Sequence, residues 1–159
     1  MSDNQAVLRK AEMMMAARAT NRDWLRAVCY LLRKERKHFN WIGIYLLEGN
    51  ALVLSSYVGE PSPHTCIPID KGICGAAVRE RKTIVVPDVN ADPRYLACSV
   101  ETKSEIVVPI EANGRILGEI DVDSHTPDAF TAADRDLLEQ VALRLAEVLA
   151  PTPRSFGGA

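Results

Sequence analysis

The dipeptide Asn113-Gly114 stands between two β-rich runs, 105–111 and 116–124, and constrains the fold of this chain more than any other feature. Asn-Gly supplies the two left-handed residues of a tight hairpin turn, so the runs are expected to pair as antiparallel neighbours. Glu48-Gly49-Asn50 gives a second hairpin signal between the runs 39–47 and 51–58. Shorter strands are expected at 66–69 and 83–86, with a short helix at 74–81 beside Gly72 and Gly75. Upstream the apolar period changes from two to three-and-four. Residues 4–19 put Val7, Leu8, Ala11, Met14 and Met15 on one helical face, and residues 21–37 do the same with Trp24, Leu25, Val28, Leu31 and Leu32. Thr20-Asn21-Arg22-Asp23 is expected to stop the first helix and cap the second, and Thr131-Ala132-Ala133-Asp134 to cap a last helix ending near residue 149. Residues 87–104 lack periodicity and read as a long ordered loop, a feature that is usually functional inside compact domains. This order predicts an α+β domain: an antiparallel sheet with N-terminal helices and a C-terminal helix packed on one side. The expected organisation is N-terminal helices over 1–37, the sheet domain over 38–150, and a disordered Gly-rich tail over 151–159.

Composition narrows the function classes. With 159 residues, 47% of them hydrophobic, the chain suits one globular domain. A formal net charge of −2 leaves no electrostatic footprint for nucleic acid or an anionic membrane. No apolar run approaches the roughly 20 residues of a spanning helix. The polar start carries no secretory signal, so a cytoplasmic protein is expected. Thiols stay reduced there unless they cycle during catalysis or sensing. The 4 cysteines are therefore candidates for chemistry or core filling rather than a disulfide scaffold.

Cys74, at the expected start of the short helix and close to Lys71, has the setting that lowers a thiol pKa; the competing reading is a small residue packing the helix on the sheet. Cys98 lies in the long loop near Arg94 and Lys103, either as a reactive thiol or as a plug beneath the loop. Cys66 alternates with its strand neighbours and reads as core filling, as does Cys29 on the second helix. His64, Cys66, Cys74 and Cys98 contain no Cys-x-x-Cys knuckle, so no metal is expected. Ile120-Asp121-Val122-Asp123 alternates, which puts both aspartates on one strand face, and Glu105 opens the preceding strand. A solvated face would explain these acids; an enclosed one would demand a cation, a metal or shared protons. Trp41 and Tyr45 share a face of the first strand, either as walls of a small pocket or as core.

The chain resembles the GAF-domain family of free methionine-(R)-sulfoxide reductases. The resemblance runs from about residue 39 to 149 and is carried by Asn40-Trp41-Ile42-Gly43-Ile44-Tyr45-Leu46-Leu47, Gly72-Ile73-Cys74-Gly75, Ala97-Cys98, Ser104-Glu105-Ile106-Val107-Val108-Pro109 and Ile120-Asp121-Val122-Asp123-Ser124. It implies a GAF-like fold and a thiol reaction without organic cofactor. Cys98 falls at the attacking position and Cys74 at a resolving one; Trp41, Tyr45, Glu105, Asp121 and Asp123 fall on the substrate-binding positions. Well-known members carry a further cysteine ten residues before the glycine-flanked one. His64 stands there, and Cys66, two residues on, is its expected substitute on the same strand face. The implied partners are free methionine-(R)-sulfoxide and a thioredoxin-type reductant, with a helical homodimer as a further expectation. The alternative function is a non-catalytic GAF domain sensing a small ligand in the same pocket.

Overall fold

A computed structural model describes residues 3–97 and 99–151. Four α-helices and six strands follow one another as α1 (Asp3–Ala16), α2 (Trp24–Glu35), β1 (Trp41–Glu48), β2 (Ala51–Val58), β3 (Cys66–Pro68), α3 (Gly72–Glu80), β4 (Ile84–Val86), β5 (Ser104–Ala112), β6 (Arg115–Ser124) and α4 (Ala132–Leu149). The sheet runs β3-β2-β1-β6-β5-β4, with every neighbouring pair antiparallel. Asn113 and Gly114, at φ of 53° and 74°, form the expected tight turn between β5 and β6. Among the described residues no helix is long and apolar enough to cross a membrane.

Strand alternation sorts the side chains into two layers. Ile42 and Ile44, Ile106, Val108 and Ile110, and Ile120 and Val122 turn to one face, where α1, α2 and α4 cover them. On α4, Leu137, Leu138, Val141 and Leu145 are all within 1% of full burial, each contributing about 1.5–3 kcal/mol. The other face carries Trp41, Tyr45 and Val107 and is covered by α3 through Ile73, Cys74 and Ala77. The expected helices on one side are thus α1, α2 and α4, while α3 packs opposite them.

The α4 cap forms as expected: Thr131 Oγ1 accepts from the Asp134 backbone N–H, and Asp134 Oδ2 accepts from that of Thr131. Asp134, almost fully buried, also lies 2.7 Å from His38 Nε2 and 3.4 Å from Arg36 Nε, which ties the approach to β1 to the start of α4. The cap expected at Thr20 does not form. The Thr20 hydroxyl donates back to the Ala17 carbonyl, closing the short 3₁₀ turn Ala17–Ala19, and Asn21 Oδ1 takes the Asp23 N–H. That local turn consumes the capping groups, so α2 starts only at Trp24 and without a side-chain cap. Within 87–104, Val89–Ala91 forms a 3₁₀ turn capped by Asp88, and Val89 is buried while its N–H bonds to the Lys103 carbonyl. The tail from 152 onward, where disorder is expected, lies outside the described residues.

Candidate functional site

Register across β1, β6 and β5 assembles the site row by row. Trp41 pairs with Asp123, which pairs with Glu105; Gly43 pairs with Asp121, and Asp121 with Val107; Tyr45 pairs with Glu119, and Glu119 with Pro109. All lie on the α3 side of the sheet. The glycine is required by space: a Cβ on Gly43 would sit 2.4 Å from the Trp41 ring, so the indole lies flat over the strand only because that position is bare. The indole also stacks on Tyr57 at 6.0 Å and donates from Nε1 to the Glu60 carbonyl. The Tyr45 hydroxyl donates to the His64 carbonyl at 2.7 Å, fixing the segment before β3 against β1.

Four carboxylates share this face, and none is solvated: Glu119 is 0% exposed, Asp121 2%, Asp123 3% and Glu105 5%. The solvated-face reading is therefore excluded. Glu119 escaped the sequence analysis, although the alternation Glu119-Ile120-Asp121-Val122-Asp123 puts it on the same face one step earlier. Both Glu119 carboxylate oxygens, Asp121 Oδ1 and Asp123 Oδ1 are buried without a hydrogen bond. Burial holds the Glu119 carboxyl well above the usual range, helped by the Asp121 charge. Burial raises Asp123 strongly too, again with help from Asp121. Asp121 is raised by burial, against the pull of hydrogen bonds from Glu105 and Cys74 and of the charge on His64. An unpaired buried carboxylate is costly, and neutralisation by protons or a cation is the physical remedy.

Cys74 is the third residue of α3, which begins two residues earlier than expected because Gly72 adopts φ of 68° and turns the chain under Leu96. Its Sγ lies 3.5 Å from Asp121 Oδ2. The expectation of a low thiol pKa is overturned: burial, then the charges of Asp121, Glu119 and Glu105, push the Cys74 thiol well up. Three carboxylates outweigh a helix end and a lysine. Cys66 is also corrected. It is exposed rather than core, because β3 begins only at Cys66 and it is Ile67 that turns to the covered face. The same boundary removes the shared-face argument with position 64. His64, rather than Cys66, lines a small chamber together with Cys74, Leu96, Glu105 and Asp121. His64 Nε2 lies 3.0 Å from the Ala97 carbonyl. Cys29 is fully buried, as expected.

Cys98 lies outside the described residues. Its neighbour Ser99 lines a cleft of about 550 Å³ that also reaches Trp41, Asp123, Thr102 and His125, with Arg26, Tyr30 and Arg33 of α2 on its outer wall. The chamber itself is only about 10 Å³, room for one water-sized group. The site thus combines a water-sized acidic chamber beside a buried thiol and an open cleft with one aromatic wall.

This fold, with an acidic chamber on the sheet face away from the terminal helices and an open cleft beside it, defines a class. The chain belongs to the GAF domain family, whose model matches residues 16–149. Among its relatives, a free methionine-R-sulfoxide reductase of Escherichia coli is 36% identical over 124 residues, 77% of this chain and 73% of the relative. One of Saccharomyces cerevisiae is 43% identical over 107 residues, 65% of this chain and 59% of the relative. The substrate-bound structure of the free methionine-R-sulfoxide reductase from Neisseria meningitidis superposes with a TM-score of 0.83 at 33% identity, covering 92% of this chain and 87% of that one.

Proposed function

We propose that this protein reduces free methionine-(R)-sulfoxide to methionine by thiol chemistry. The observation that carries the reading is the row of four buried carboxylates beside a buried thiol, with oxygens of Glu119, Asp121 and Asp123 lacking hydrogen bonds. An ammonium group is the organic cation that such a chamber fits by size and charge. Glu105, Asp121 and Asp123 bind it, and one of them, kept protonated, hydrogen-bonds the sulfoxide oxygen. A substrate whose nitrogen lies in a peptide bond would offer no such charge. Trp41 and Tyr45 wall the apolar part.

In the reaction the Cys98 thiolate attacks sulfur and the S=O oxygen is transferred, with the retained carboxyl proton supplied to it. Methionine leaves, and Cys98 becomes a sulfenic acid. The Cys74 sulfur then displaces that hydroxyl, which departs as water with the thiol's proton, and a Cys74–Cys98 disulfide remains. A thioredoxin-type dithiol reduces it by exchange, being oxidised itself. Cys74 suits the second step rather than the first, since a thiol held neutral by its surroundings is a poor first nucleophile. The E. coli and yeast relatives carry the name of this activity, which supports the choice of substrate.

The test is single-turnover methionine release. Cys98→Ser should abolish it, whereas Cys74→Ser should release one methionine per subunit and stall as a sulfenic acid that dimedone captures. Release by Cys98→Ser would reverse the roles of the thiols. No turnover by the wild-type chain with thioredoxin and NADPH would favour a ligand-sensing GAF domain.

A further inference from the structure

The resolving thiol and two of the ammonium-binding carboxylates also stand close enough together to share a ligand of another kind. One ligand atom each from Cys74, Glu105 and Asp121 lies within 4.8 Å of the others, and all three residues are buried. The Cys74 Sγ to Asp121 Oδ2 separation is 3.5 Å. Bonds of about 2.3 Å to a thiolate and about 2.0 Å to a carboxylate, at a tetrahedral angle, place sulfur and oxygen about 3.5 Å apart. The thiol hydrogen bond to Asp121 spans that edge now, and a tetrahedral zinc would take its place without moving either atom far. The chamber that the three residues help to line is about 10 Å³, room for an ion or one water-sized group. Asp121 lines this chamber, and its Oδ1 is buried without a hydrogen bond.

We propose that Cys74, Glu105 and Asp121 form a binding site for a thiophilic divalent cation, Zn²⁺ in the first place, whose occupancy reversibly shuts the site. Binding forms a metal–sulfur bond, releases the Cys74 proton to solvent, and offsets the carboxylate charge inside the chamber. Water takes the fourth position. His64 lies on the same chamber wall with Nε2 3.0 Å from the Ala97 carbonyl, and stands outside the set of three ligands. Hard cations such as Mg²⁺ are disfavoured, because a thiolate supplies one of only three protein ligands. The bound ion occupies the space assigned above to the ammonium group and masks the resolving thiol. Metal binding itself does not depend on the reductase reading.

The experiment titrates metal-free, fully reduced chain with Cd²⁺, a spectroscopic stand-in for Zn²⁺, and follows the ultraviolet thiolate-to-cadmium charge-transfer band. The band should saturate at one ion per chain, persist in the Cys66→Ser/Cys98→Ser double variant, and be reversed by added Zn²⁺. Cys74→Ser should abolish it, and Glu105→Gln or Asp121→Asn should weaken Cd²⁺ binding at least about tenfold, the effect of about 1.4 kcal/mol. Thermal melts of each variant separate loss of binding from loss of fold, and the Glu105→Gln arm stands if Cys74→Ser fails to fold. A band that survives Cys74→Ser, disappears with Cys66→Ser, or is indifferent to both carboxylate variants would overturn the site. A methionine sulfoxide assay without turnover would leave this outcome unaffected, so failure of one proposal is distinguishable from failure of the other.

Discussion

Replacing Glu119 by glutamine should make the protein more stable at neutral pH, by an amount that grows with pH. Glu119 is 0% exposed, faces Tyr45 across β1 and β6, and has Asp121 and Cys74 as its titratable neighbours. Its folded-state pKa is raised well above the ordinary 4.5. The stability it contributes is therefore fully present below the unfolded pKa and is lost as pH rises through the folded one. Over that interval the unfolded chain has released a proton that the folded chain retains, which costs up to about 1.4 kcal/mol per pH unit. Glutamine keeps the shape, never ionises, and offers an N–H₂ to Asp121 or Cys74. Discounting for local relaxation, the gain at neutral pH is about 1–3 kcal/mol, and at about 2–4 °C per kcal/mol for a chain of this size the melting temperature rises by about 2–12 °C. Calorimetric melts of both proteins at a series of pH values from acid to mildly alkaline would show the two curves converging in acid and diverging above it. Parallel curves, or a variant less stable than wild type at neutral pH, would show that Glu119 does not carry a raised pKa in the folded chain.

Other outcomes follow from single features. Gly43→Ala drives a methyl into the Trp41 ring, so the indole must leave its place: a loss of about 1–3 kcal/mol is expected in denaturant melts, with a raised KM for the sulfoxide. Thr131→Ala removes one half of the α4 capping box and should cost about 1 kcal/mol while leaving KM unchanged, checked by urea unfolding and kinetics on one preparation. Iodoacetamide at neutral pH should alkylate exposed Cys66 while sparing buried Cys74, and peptide mapping reads both; rapid labelling of Cys74 would contradict its burial and raised pKa.

Much of this fold was legible because its signals are local. Asn113-Gly114 demands a hairpin wherever it sits, and Thr131-x-x-Asp134 satisfies its own cap. The two-residue period of β6 correctly put Asp121 and Asp123 on one face, but only the sheet's cover decides whether that face is wet. That cover is α3, and no local pattern says which side of a sheet a nine-residue helix will choose. A lone glutamate on a strand carries no local sign of burial; that of Glu119 comes from Tyr45 and α3, both remote in sequence. Cys74 shows how charge enters from afar: its helix setting favours a thiolate, yet β5 and β6 bring three acids to it. Cys66 and His64 exchanged expected places because β3 starts two residues later than a shared-face argument needs.

The proposed reaction turns on whether the buried acids read a free ammonium group. The most direct measurement compares kcat/KM for free methionine-(R)-sulfoxide with that for its N-acetylated form, in wild type and in Asp123→Asn, with melting temperatures taken on the same samples. Wild type is expected to prefer the free amino acid strongly, and Asp123→Asn to melt at or above the wild-type temperature. The variant is expected to lose roughly 10²-fold or more in kcat/KM for the free substrate. Equal use of the acetylated compound by wild type, or unchanged kinetics in the variant, would contradict ammonium recognition by these acids.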